Sequence, residues 1–271
     1  MALNKEIWAS AIQELLLPDN TFVTKGTDYS VFADNHMIHI PVEAGLINVV
    51  KDRNELPATV STSSELCKEI DMHHFTTDPV RLFRPEDVEL CYDKRRLVTE
   101  NLAKSINESI AEYVTGQFHI LSTNLNLSQG TPSARKVLLE LAKNFDLNNY
   151  PEQDRYVLMS ADAYSALLNE LSEVQTSAFL ACADMKAGVV GQIYGFNILK
   201  RSFLGSVGTA GMFAWHKSQY SFALGPVEVY SQENAPEYYG TILSASVRFG
   251  AHPGDIYFVS PQNIIPTPSN P

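Results

Sequence analysis

The residues best suited to chemistry in this chain are Asp71, His73 and His74, with His36 and His39 close enough in sequence to join them across a hairpin. Imidazole and carboxylate are ligands for zinc and related ions, but a site needs three or four converging donors with ordered outer partners. No spacing motif fixes such a convergence here. At the base of a projecting hairpin these side chains read as solvated or interface-packed, and no metal is assigned. Cys91 has Lys94 and Arg95 nearby to favour a thiolate but no histidine beside it in sequence, and it reads as a structural cysteine. The run Gly205 to Gly211, GSVGTAG, has regular glycine spacing without the lysine or following helix of a phosphate loop, and it reads as an inter-strand loop. Lys94, Arg95 and Arg96 form the basic cluster of the chain, a pattern that by itself is a solvated helix face. GxxxxGK[ST], HExxH, GxSxG, a CxxC pair and GxGxxG after a strand are all missing. The residues therefore point away from an enzyme, and no cofactor is expected.

The elements around these residues are those of an ordinary globular protein. The chain has 271 residues, 45% of them hydrophobic, enough for one large core or two small ones. A net charge of −11 argues against a broad basic face that grips nucleic acid by neutralising phosphates. Cys67, Cys91 and Cys182 are odd in number and far apart, so neither a disulfide framework nor a metal knuckle is expected, and synthesis in a reducing cytosol is the simplest reading. Glu6, Gln13 and Glu14 interrupt any secretion signal, and no run approaches the roughly 20 apolar residues of a membrane span, so a soluble protein is expected.

Along the chain, Ile7, Ala11, Ile12, Leu15 and Leu16 make one face of a short amphipathic helix that Pro18 stops. Residues 19–35 are polar and irregular. Met37 to Val42 alternates as a strand, with its return expected at Phe75 to Phe83, where Pro79 demands an edge or a bulge. Between them the polar segment Ala44 to His74 is too long for a connection inside a compact monomer. A long helix is expected from about Pro85 to Tyr113, with Val98, Leu102, Ile106, Ile110 and Val114 on its apolar stripe, closed by Gly116 and followed by a strand at Phe118 to Leu121. A second helix opens at Ser133 with Val137, Leu138, Leu141 and Phe145 inward.

Tyr156 to Met159 then forms a strand buried on both faces. Ser160 caps a helix whose inner face is Ala163, Leu167, Leu168 and Leu171, and Gly195 turns a hairpin between Val189 and Leu199. From Met212 the chain is strongly β, with three or four antiparallel strands, and the tail after Ser260 holds four prolines in eleven residues.

Tyr156 to Leu168 and Gly188 to Ser202, with the Phe249 to Ile256 closing strand, resemble the major capsid proteins of tailed bacteriophages, the Hong Kong 97 fold that encapsulin nanocompartments share. The resemblance follows the order of elements over nearly the whole chain. It implies an α+β protein divided into an N-terminal arm (1–35), an extended β-hairpin loop (36–84), a peripheral domain with a spine helix (85–121), an axial domain (122–207) and a closing sheet that returns to the peripheral domain and ends in a tail (208–271). It further implies a shell-forming protein of a double-stranded DNA phage virion, made in the host cytoplasm and assembling with itself into hexamers and pentamers. Ile7, Trp8, Ile12 and Leu15 of the arm and Lys51, Arg53 and Glu55 of the projection would meet neighbouring subunits, and Lys94, Arg95 and Arg96 would face packaged DNA. The chain lacks the long helical extension that serves some relatives as a built-in scaffold, so a separate scaffolding protein and a portal are expected partners. An encapsulin-like compartment is the alternative, and a soluble metal-dependent enzyme using the histidines is the rival from another class.

Overall fold

The computed structural model describes residues 21–34, 36–44, 51, 64–83, 94–125, 132–184, 187–202, 204, 211–235, 237, 239–260 and 263–264. Two sheets are built around one long helix, α1 (Lys94–Leu121). Its 28 residues span about 42 Å at 1.5 Å per residue. Ile106, Ile110, Val114 and Phe118 recur at helical spacing and are fully buried, because α1 has a sheet on each side.

On one side lies a sheet made of β1 (Thr27–Asp28), β11 (Tyr220–Ala235), β12 (Gly240–Pro253) and, both paired to β12, β4 (His73–Thr76) and β5 (Val80–Phe83). Val229, Val247 and Phe249 turn inward from it, and the Tyr113 ring of α1 meets Phe249 and Phe75 edge-on. Pro79 falls in the gap between β4 and β5 at the sheet edge, where a missing N–H breaks no ladder. Thr77 bridges the gap: its N–H donates to the Ala245 carbonyl and its hydroxyl oxygen accepts from the Ala245 N–H, each at 2.9 Å.

On the other side is a six-stranded sheet in the order β6 (Thr123–Asn124), β13 (Tyr257–Val259), β10 (Met212–His216), β7 (Arg155–Ser160), β9 (Phe196–Arg201), β8 (Val189–Ile193). It separates two cores. Tyr156, Leu158, Leu199, Phe213 and Trp215 face α1, whereas Val157, Met159, Ile198, Met212 and Ala214 face three short helices. Strands covered on both sides read as continuous apolar runs, which is how RYVLM and MFAW appear in the sequence. The covering helices are α2 (Ala134–Leu147), α3 (Ala161–Glu170) and α4 (Glu173–Ala181), capped by the hydroxyls of Ser133, Ser160 and Ser172.

A hairpin of β2 (Met37–Ala44) and β3 (Ser64–Asp71) stands on the outer face of the first sheet. Its root is held by Ile38, Ile70 and Met72 packing on Ala33 and Ala223. Gly250 makes the approach possible, since a Cβ there would sit 2.6 Å from the Asp71 carbonyl oxygen and 2.8 Å from Ile70.

Several expectations are corrected. The return strand of the hairpin is Ser64–Asp71 and not Phe75 to Phe83, which instead edges the β12 sheet. Phe118 to Leu121 is helical, and Gly116 lies inside α1 with open space where a Cβ would be. The burial of Phe118 among Phe213, Trp215 and Tyr220 outweighs its strand propensity. Residues 84–93, including Cys91 and the expected helix start, lie outside the described residues, as do most of Gly205 to Gly211 and of the tail.

Within the segment expected as an arm, residues 21–34 pack on the chain's own body. Phe22 and Val23 enter the α1 core, the Trp215 indole donates to the Lys25 carbonyl at 2.9 Å, and β1 runs parallel to β11. Of the strands expected in the closing sheet, β10 pairs with β7 and β13 pairs with β10, so both belong to the six-stranded sheet.

Candidate assembly surfaces

The histidines do not form a site. His73 is exposed, its ring lying 5.0 Å from that of Tyr113, while His74 lies on the opposite face of β4, across from Arg248 of β12. His39 pairs with Glu69 at 3.3 Å across the hairpin, both largely exposed, and His36 offers its carbonyl to the Met72 N–H. Among the described residues no three His, Cys, Asp or Glu side chains converge as metal ligands. Burial, with Asp71 nearby, raises the Tyr113 hydroxyl to about 12, so it stays protonated as a core phenol. His216 is held below the usual histidine range, first by burial. Its Nδ1 accepts from the Ser218 N–H and its Nε2 meets the Gln153 carbonyl, the arrangement of a neutral ring that organises a turn.

The polar surfaces divide between the body and the hairpin. In the hairpin, side chains alternate: Met37, His39 and Pro41 are exposed while Ile38 is buried, and Cys67, Glu69 and Asp71 are exposed while Ile70 is buried. Ile40, next along β2, is partly buried against the same root cluster. Lys51 is an exposed turn residue, and Arg53 and Glu55 lie outside the described residues, as do Ile7, Trp8, Ile12 and Leu15. Lys94, Arg95 and Arg96 form the first turn of α1, and the exposed charged residues that follow are Lys104, Glu108 and Glu112.

In the body, buried charge joins the layers. Arg201, at the end of β9, donates to Glu108 of α1 and lies 5.6 Å over the Phe22 ring, tying the six-stranded sheet, α1 and the 21–34 strap together. Arg155, almost wholly buried, donates to Asp146 at 2.8 Å and to the carbonyls of Tyr150 and Pro151, closing the C-terminal end of α2.

A cleft missed by sequence reasoning lies at the β8 edge of the six-stranded sheet. It has a volume of about 370 Å³ and is lined by Leu171, Phe179 and Ile193 with Arg135, Gln175 and Tyr194. The sequence did carry a signal for one wall, since Ser172-x-x-Gln175 is a capping box and forms here as one.

No family model matches the chain, and no curated protein does. Solved structures do. The capsid structure of the cyanophage P-SCSP1u aligns with a TM-score of 0.64 at 14% identity, over 87% of this chain and 86% of that one. A chain from Mycobacterium phage Che8 aligns with a TM-score of 0.67 at 14% identity, over 88% of this chain and 90% of that one. This chain has the fold of phage capsid proteins. A native GTA particle capsid gives the same result, with a TM-score of 0.65 at 12% identity and 89% of both chains covered.

Proposed function

We propose that this chain is the major capsid protein of a tailed double-stranded DNA bacteriophage, building the hexamers and pentamers of an icosahedral shell that encloses the genome. The observation that carries the reading is a hairpin of two eight-residue strands, buried only at its root, on a body with the phage capsid fold. An isolated two-stranded hairpin is marginal in water, so these strands gain from lying across another subunit. Lys51, Arg53 and Glu55 would meet that neighbour, and Ile7, Trp8, Ile12 and Leu15 would pack on it from the arm. Contacts of this kind are heterologous, and they close into rings when the rotation permits.

The role is structural and not catalytic, and the chain acts in the virion after synthesis in the host cytoplasm. A separate scaffolding protein and a portal are its expected assembly partners. Lys94, Arg95 and Arg96 touch packaged DNA through phosphate. The acidic positions further along α1 confine that contact to the first turn, and the interaction is accordingly weak and salt-sensitive.

Electron microscopy of the expressed 30.1 kDa chain, alone and with its neighbouring phage genes, tests the reading. Closed shells with fivefold and sixfold capsomers support it, and particles that carry nucleic acid separate it from an enzyme-packaging compartment. A monomer that never assembles under any condition and binds one zinc per chain overturns it.

A further inference from the structure

The cleft at the β8 edge is built around a cation held in place. Arg135 stands at the start of α2, and its Nε donates to the Tyr194 hydroxyl at 2.9 Å. Tyr194 itself sits at φ 48°, ahead of Gly195 at φ 79°, in the two-residue turn between β8 and β9. The first of these positions favours Asn, Asp or Gly, and a tyrosine there carries backbone strain. The strain is spent on aiming one ring at one guanidinium.

The nearest acid does not occupy that guanidinium. Glu170 instead accepts from the Ser133 hydroxyl at 2.7 Å, the Ala134 N–H at 2.9 Å and the Arg135 N–H at 3.0 Å, as a cap on the helix start. Among the described residues the terminal nitrogens of Arg135 have no hydrogen-bond partner. Beside them the cleft is apolar, floored by Phe179, whose ring covers Gly191 so closely that a Cβ there would lie 2.5 Å from it.

The opposite end of the same helix carries the complement. Helix α2 lies across the strands: Arg135 meets Tyr194 beside edge strand β8, while Asn148, capping its C-terminal end, donates to the Tyr257 hydroxyl of β13 at 2.7 Å. Its 14 residues cover about 21 Å, roughly the width of the strands between them. At this far end Leu147 is 69% exposed, next to Asp146, whose carboxylate gives one oxygen to Arg155 and remains largely in solvent. Asp255 adds a second exposed carboxylate there through its bond to Tyr150.

The geometry points to a head-to-tail contact in which the Arg135–Tyr194 cleft of one copy receives the Asp146–Leu147 end of α2 from the next. This rests on the ring-forming reading above and names the surfaces that close the ring. A cation beside an apolar cleft at one lateral edge, and an acid beside an exposed leucine at the other, are self-complementary only between translated or rotated copies, which is the heterologous arrangement that makes rings. In a chain of net charge −11 a contact with this polarity also sets direction, since acid-to-acid approaches are repelled.

The test is a cysteine pair, Gln175→Cys in the cleft wall and Leu147→Cys at the far end, in a chain whose three native cysteines are replaced by serine. Oxidised particles are expected to give a ladder on non-reducing gels that ends at closed rings, and neither single-cysteine chain is expected to give one. Arg135→Glu and Leu147→Asp, both at exposed positions, are expected to keep the circular dichroism and melting temperature of the parent and to lower particle yield by about tenfold or more. Shells that form normally from the cysteine pair without a ladder, or from Arg135→Glu at parental yield, overturn this contact and leave the capsid reading standing. Failure of the parent chain to assemble under every condition overturns both.

Discussion

The β7–β9 region and the β2–β3 hairpin are made of strands of similar length, six residues against eight, yet they stand in opposite relations to their surroundings. Every residue of β7 from Arg155 to Met159 is buried, with a separate apolar core on each face. In the hairpin the buried residues among those described are Ile38, Ile70 and the neighbouring Met72, with Ile40 partly buried against them. The first region is complete within one chain. The second has one ladder and, among the described side chains, a core only near its root, so on the proposed function its stability depends on a neighbouring subunit. The difference separates residues that complete the subunit from residues that, on the proposed function, would make a shell.

The largest expected effect tests that separation directly. Ala44 and Ser64 face each other in the ladder, so replacing residues 45–63 with an Asn-Gly turn closes the hairpin without changing its register. Shell formation, followed by electron microscopy, is expected to be lost, with a denaturation midpoint within error of the parent. A large fall in monomer stability would show that the projection serves its own subunit. Next comes the converse change. Phe145→Ala empties a site that contacts Tyr150, Phe196 and Tyr257 and lies under the Arg155 guanidinium, and it is expected to cost about 3–5 kcal/mol in urea unfolding.

Gly250→Val acts at the junction and is expected to cost about 1–3 kcal/mol, because the Asp71 backbone must move to admit it. Hydrogen exchange should quicken at Ile38 and Ile70 and stay unchanged at Val157 and Leu158. Equal quickening in both places would merge the two regions into one cooperative unit. The smallest effect is electrostatic. His252 of β12 is held below the ordinary histidine value by burial and then by the Lys68 ammonium, with Asp71 pulling the other way. The unfolded chain therefore binds that proton more readily, so stability is full above about pH 6.5 and declines as pH falls below it. Exchange at the hairpin root should rise modestly on acidification, and His252→Gln should flatten the dependence.

The same division governs what could be read from the sequence. Local rules sufficed where an element's partners are close by: Ser133 and Ser160 cap the helices they precede, and Gly195 turns the hairpin it was expected to turn. Distant partners defeated them. Strand β3 reads SELCKEID, too polar to look like a strand, because little of the subunit covers it. The C-terminal turn of α1 resembles a strand until Trp215 and Tyr220 pack around Phe118. The β8-edge cleft was unreadable for the same reason, since it joins Arg135 to a tyrosine 59 positions away. Residues 1–20 of the arm and 52–63 of the projection lie outside the described residues, and their expected contacts rest on amphipathic pattern and family likeness.

The strap at residues 21–34 has a consequence for timing. The indole that binds the Lys25 carbonyl is 190 residues downstream of it, and β1 has no strand neighbour until β11 exists. At roughly 5–20 residues per second, that interval lasts about 10–40 s. Because the strap is fastened by β10 and β11, a chain stalled before Trp215 cannot seat residues 21–34 on the body. Residues 21–34 therefore reach their fixed position only once β10 and β11 exist, so this stretch is placed late relative to its own synthesis.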